Sequence, residues 1–323
     1  MATTRPNFDP ELAPFHDAYP LPAILALELL PAIRPQLDAA YTAESALGDH
    51  PFTHQVEYAE DSDGHKVPLA VFTPKSATDK AGSRPCIYFI HAGGLILSNR
   101  YCGVGEVLGV AEEINATVVS IEYRLVPEHP APAALNDSFQ GLIWVHENTP
   151  KLGVDPANIV VWGSSAGGGL AAAITLLTRD RKSQVKPKGL LLNTPMLEDK
   201  IDEAEQKVFS GDAAKIWSAE SNAIGWKAYL GDDAANRVNP YYVPARATDL
   251  SGLPPTFLDV GTAELFRKPV VRFAEKIWES AGDVELHVWP GAFHSSDFVV
   301  PDAAVSKKSS AARKAFIHKI LSS

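Results

Sequence analysis

The stretch VVWGSSAGGGLAAAITLL, residues 160–177, sets Ser165 between Gly163 and Gly167, with β-formers before it and helix-formers after it. A strand that turns straight into a helix through Gly-x-Ser-x-Gly strains the serine backbone, and a Cβ at either flanking position would collide with the neighbouring elements. Such an elbow lifts the Ser165 hydroxyl above a sheet end, with the amide of Ala166 facing the same space at a helix N-terminus. Ser164 has no glycine pair around it at the same spacing. A hydroxyl is a poor nucleophile at neutral pH and needs a base, a carboxylate to orient the base, and donors for a developing oxyanion. The candidate base is His294 in VELHVWPGAFHSSDF, and the candidate carboxylates are Asp259 and Glu264 in PTFLDVGTAELF. A loop carboxylate can reach across to a histidine whereas one inside a strand can face a helix, which favours Glu264 and leaves Asp259 as the alternative. In IYFIHAGGL, the amides of Gly93 and Gly94 can approach a bound carbonyl because no side chain intervenes.

These groups need a scaffold that brings distant segments to one edge. From about residue 54 the chain alternates short β-rich runs with longer helical patterns, the signature of an α/β sheet with helices on its faces. THQVEYAE and KVPLAVFTP form an expected antiparallel pair. Apolar runs at 86–92, 116–123, 158–164, 189–195, 255–261 and 284–290 then suit parallel strands covered on both faces. Helical patterns lie near 103–114, 132–147, 166–180, 268–281 and 303–321. Right-handed crossovers would place a ligand at the carboxyl ends of the strands. The expected organisation is a catalytic domain over 51–196 and 251–323, interrupted by an insertion at 197–250 that reads as two helices within VFSGDAAKIWSAESNAIGWKAYLG. The helical first fifty residues and this insertion are expected to form a lid. Phe209, Trp217 and Trp226 are its candidate substrate contacts.

Composition narrows the partners. With 46% hydrophobic and 21% charged residues the chain has an ordinary globular balance, and 323 residues can bury a sizeable core. A net charge of −10 without a basic block argues against nucleic acid and anionic membranes, leaving a small neutral molecule as the expected partner. The segment LPAILALELLPAI is too short to span a bilayer and lacks a basic leader, so cytoplasm is the expected location. Of two cysteines, Cys86 lies in the apolar run CIYFI, where a buried thiol is expected rather than a bridge. No metal-ligand spacing occurs among the His-Glu pairs. In YRLVPEHP, Arg124 and Glu128 read as a pair within a structural turn, and GVGEVLG reads as a helix start.

HAGG, YRLVPEHPAPAAL, LGVDPANIVVWGSSAGGGLAA, GTAELFR and PGAFH together resemble the hormone-sensitive-lipase-like esterases of the α/β-hydrolase fold, over residues 50–323. The resemblance implies an α/β-hydrolase fold with a mostly parallel sheet, helices on both faces and a helical cap. It implies a serine carboxylesterase that needs no cofactor or metal, with Ser165 as nucleophile, His294 as base and Glu264 as the acid. The oxyanion donors would be the amides of Gly93, Gly94 and Ala166. Ala92 stands where the family's first oxyanion-loop glycine is, Ser164 where an acidic residue usually precedes the nucleophile, and Ser295 where glycine commonly follows the histidine. The reaction expected is hydrolysis of small, fairly apolar esters through an acyl-enzyme. An amidase or lactonase would use the same triad, and a non-catalytic ligand receptor on the same scaffold is the reading from another class. A homodimer remains open.

Overall fold

The structure, a computed structural model, describes residues 4–60, 64–76 and 84–321. Eight strands form one sheet in the order β1-β2-β4-β3-β5-β6-β7-β8. They are β1 Phe52–Glu60, β2 Lys66–Pro74, β3 Arg84–Ile90, β4 Thr117–Ile121, β5 Val154–Ser164, β6 Gly189–Asn193, β7 Thr256–Gly261 and β8 Val284–Trp289. β1 and β2 pair antiparallel, as do β2 and β4, and every later pairing is parallel. The six apolar runs form the parallel strands β3 to β8, and the expected double covering holds for all but β8, which lies at the sheet edge and leaves Val288 exposed.

Both faces are covered because side chains alternate across each strand. In β3, Tyr88 and Ile90 join the core on one face and Ile87 and Phe89 the core on the other. The first core is closed by α3 (Ala133–Glu147), α4 (Ala166–Asp180) and α6 (Arg267–Glu279), and the second by α2 (Val104–Glu113) and α7 (Ala304–Leu321). Cys86 and Cys102 are both buried free thiols. Among the described residues no helix is long and apolar enough to cross a membrane.

The N-terminal residues and the insertion meet each other. The Leu25 amide donates to Ser221 Oγ at 3.0 Å, and the Lys215 amide to His16 Nε2 at 3.2 Å. α1 (Leu30–Ala40) is tied down by Arg34, which donates to the carbonyls of Ile96 at 2.9 Å and Val126 at 2.7 Å. The segment 208–231 differs from the expected two helices. It holds one α-helix, α5 (Ala219–Leu230), preceded by a single 3₁₀ turn at Gly211–Ala214. Ser218 explains the break: its side chain caps α5 by accepting from the Ser221 amide, which starts the helix there instead of letting it run on from the turn.

A second expectation is corrected at YRLVPEHP. Arg124 does not pair with Glu128; its Nη2 and Nε donate to Asp137 at 2.6 and 2.9 Å, and its amide donates to the same carboxylate at 2.8 Å. Asp137 is fully buried on α3 and recruits the nearest guanidinium, whereas exposed Glu128 accepts from Arg34 at 2.7 Å.

Candidate active site

Ser165 joins β5 to α4 with φ 51° and ψ −115°. That conformation is unfavourable for any residue with a side chain, and surrounding bonds hold it. Its amide donates to the Asn193 carbonyl at 2.8 Å, and its own carbonyl accepts from the amides of Met196 at 2.8 Å and Gly169 at 3.1 Å. The glycines allow the close approach: a Cβ on Gly163 would lie 2.2 Å from the Gly167 carbonyl oxygen, and one on Gly167 would lie 2.1 Å from that of Ile90.

The chain brings three distant side chains together here. Ser165 Oγ lies 2.9 Å from His294 Nε2, and His294 Nδ1 lies 2.6 Å from Glu264 Oε2. Glu264 is fixed by its other oxygen, which accepts the Gly261 amide at 2.7 Å. All three are nearly buried, with exposures of 2%, 7% and 2% for Ser165, His294 and Glu264. The imidazole is further held edge-on by Phe266, at 5.0 Å between ring centroids. Ser295 takes φ 57°, so a serine occupies a left-handed position that glycine would adopt without strain.

Asp259 lies elsewhere. Its Oδ2 accepts from Arg313 Nη1 at 2.7 Å, Ser309 Oγ at 3.0 Å and Trp289 Nε1 at 3.1 Å. Burial pushes its carboxyl above the ordinary aspartate value, Arg313 opposing and Asp297 adding to the rise.

Gly93 and Gly94, at φ 129° and 61°, form the loop beside the serine, where the Gly93 carbonyl accepts from the amides of Ile96 and Leu97. Ala166, as the first residue of α4, has an amide with no acceptor inside its helix. His91 is structural. It is stacked on Tyr123 at 4.1 Å, and burial pulls its pKa down to about 4.

A cavity of about 90 Å³ is lined by Gly93, Gly94, Ser165 and His294, and by Trp217 from the insertion. Leu21, Leu25 and Leu37 from the N-terminal part add apolar wall, and Phe298 closes it from the C-terminal side. Trp217 packs so tightly that a Cβ on Gly94 would lie 1.9 Å from its ring. Trp226 lines a separate crevice with Ala166, while Phe209 is fully buried and lines neither. Sequence reasoning missed Asn193, whose carbonyl holds the elbow and whose amide group donates to Asp297 at 3.0 Å; its only signal is its place at the end of β6. Among the described residues no group of His, Cys, Asp and Glu side chains is arranged to hold a metal ion.

Comparison with known proteins adds a second line of observation. Residues 87–298 match the model of a family described by its α/β hydrolase fold. Carboxylesterase NlhH of Mycobacterium tuberculosis is 29% identical over 309 residues, 93% of each chain. Among solved structures, a bacterial heroin esterase superposes with a TM-score of 0.87 at 33% identity over 99% of each chain. Esterase LipW from Mycobacterium marinum does so with a TM-score of 0.86 at 27% identity over 98% of each chain.

Proposed function

Because the chain belongs to the hormone-sensitive-lipase-like esterases of the α/β-hydrolase family, we propose that it is a serine carboxylesterase acting on small, fairly apolar esters through an acyl-enzyme. The observation that carries this reading is the unbroken path from Ser165 Oγ to His294 at 2.9 Å and on to Glu264 at 2.6 Å. His294 Nε2 takes the Ser165 proton as Oγ attacks the ester carbonyl carbon. Glu264 holds the proton on Nδ1, so that Nε2 presents its lone pair, and then stabilises the imidazolium. The carbonyl oxygen gains charge as the tetrahedral intermediate forms and is held by the amides of Gly93, Gly94 and Ala166. His294 passes its proton to the departing alkoxide, the carbon–oxygen bond breaks, and a water activated by the same imidazole releases the acid.

Residues 4–50 and 197–250 act as a cap over this centre. Support comes from Trp217 lying against Gly94, and from the leucines of the N-terminal part in the wall of the same cavity. A cavity of about 90 Å³ with leucine and phenylalanine walls favours a small ester with little polar surface. The test is a stopped-flow burst of alcohol from an activated aryl acetate, with amplitude equal to the enzyme concentration. Full turnover by Ser165→Ala would defeat the proposal.

A further inference from the structure

Beside the elbow, α4 and α5 enclose a second, smaller space. Ala166, Gly169, Leu170 and Ala173 recur along one face of α4, at the spacing that stacks side chains on a helix. Facing them from α5 are Trp226 and Tyr229, and Leu95, next to Gly94, also lines the space. Its volume is about 10 Å³, room for roughly one water-sized atom.

Two of the residues lining this crevice carry buried polar groups. Trp226 is 3% exposed and Tyr229 1% exposed, yet neither the indole Nε1 nor the phenol oxygen has a hydrogen-bond partner among the described residues. Buried donors are normally paired. Other deeply buried phenols in this chain obey that rule: Tyr88 donates to the Ser138 carbonyl at 2.8 Å and Tyr123 to that of His91 at 3.1 Å. Burial raises the Tyr229 phenol far above its ordinary value, so it stays protonated and able to donate.

The position of His294 assigns the crevice to one side of the substrate. In the reaction above, His294 gives its proton to the leaving alcohol, and His294 lines the larger cavity, so the alcohol part belongs there. The crevice includes Ala166 but not His294, which leaves it to the acyl part.

We propose that the crevice between α4 and α5 is an acyl subsite for a short chain bearing an oxygen close to the ester carbonyl, recognised by Trp226 Nε1 and Tyr229 Oη. A hydroxyacyl group fits this chemistry, the oxygen of its hydroxyl accepting from Trp226 Nε1 and from the Tyr229 hydroxyl. The proposal rests on the serine-esterase reading and adds to the apolar cavity a demand for one polar atom.

The experiment compares phenyl hydroxyacetate with phenyl propanoate, which match in shape and leaving group. Each kcat/KM is divided by that ester's own rate with hydroxide, which removes the inductive effect of the oxygen. The expected ratio favours hydroxyacetate by about tenfold, the worth of one or two net hydrogen bonds. It should fall to near parity in Tyr229→Phe, and it should fall in Trp226→Phe, which serves if the first variant does not fold. Parity in the unmodified protein, or a ratio unchanged in both variants, would mean that the two donors do not meet the acyl group and would overturn the subsite. Calorimetric binding of the same two esters to Ser165→Ala separates this from a failure of the esterase reading. If neither ester is turned over, a tenfold tighter Kd for hydroxyacetate that is lost in Ser165→Ala/Tyr229→Phe still supports the subsite, and equal Kd values reject it.

Discussion

Asp259 and Glu264 lie five residues apart at the end of β7, equally buried, and the chain surrounds them with opposite partners. Glu264 faces an imidazole and one backbone amide. Asp259 faces Arg313, which also pairs with Asp297 at 2.6 Å and Glu106 at 2.7 Å. One guanidinium thus serves three carboxylates. Although burial opposes it, their combined field raises Arg313 and keeps it charged. Burial also works against Asp297, but Arg313 and the Asn193 amide hold it below the ordinary aspartate value. Asp259 is the surplus anion, raised by desolvation. The contrast teaches that burial of a carboxylate does not define its job. A carboxylate held in a network around a buried cation serves structure, whereas one facing an imidazole is free to stabilise a proton that arrives during reaction.

The largest effect should come from removing the group that gives this imidazole its task. Ser165→Ala should lower kcat about 10⁵-fold or more with an unchanged circular dichroism spectrum. Glu264→Gln should lower kcat about 10⁴-fold by favouring the wrong imidazole tautomer. Asp259→Asn, assayed beside it, should stay within about threefold because no reacting atom touches it. Reversed results would exchange the two roles. Arg313→Met should act on stability, costing about 3–5 kcal/mol in urea unfolding, since it leaves Asp259 and Asp297 buried without their cation.

The smallest effect is a pH slope. Asp259 holds its proton more tightly in the folded chain than in the unfolded one, where its ordinary value is 3.8. Its contribution to stability is therefore greatest at low pH and declines as pH rises from that value through the raised folded one. Asparagine cannot titrate, and without the neighbouring anion Asp297 is held lower still, which adds to the same trend. The Tm of Asp259→Asn relative to the unsubstituted protein should therefore rise between about pH 4 and pH 7. A difference that stays flat or falls would show that Asp259 is not the surplus anion.

What was legible in the sequence was local. Five of the six apolar runs could be read as parallel strands because both faces of each are covered, so no polar residue interrupts the core segment of β3 or β6, whereas β8 at the sheet edge is only partly covered. The elbow pattern was visible because the steric demand falls on residues two places either side of Ser165. Arg313 was illegible. It stands in the polar run KKSSAARKAF, which reads as a solvated helix face, and its 1% exposure arises only when α7 packs against β7 and α2 brings Glu106. The partner of Arg124 was hidden for the same reason: Glu128 is close in sequence, but Asp137 is the carboxylate that folding buries. The placement of Trp217 on Gly94 joins segments more than a hundred residues apart, and no spacing rule encodes that contact.

The most direct measurement treats the folded protein with a fluorophosphonate and locates the adduct by peptide mass spectrometry. The account predicts one adduct per chain on Ser165, absent from Ser165→Ala and formed far more slowly in Glu264→Gln than in Asp259→Asn. Labelling of Ser164, or no labelling in a preparation that still turns over esters, would contradict it.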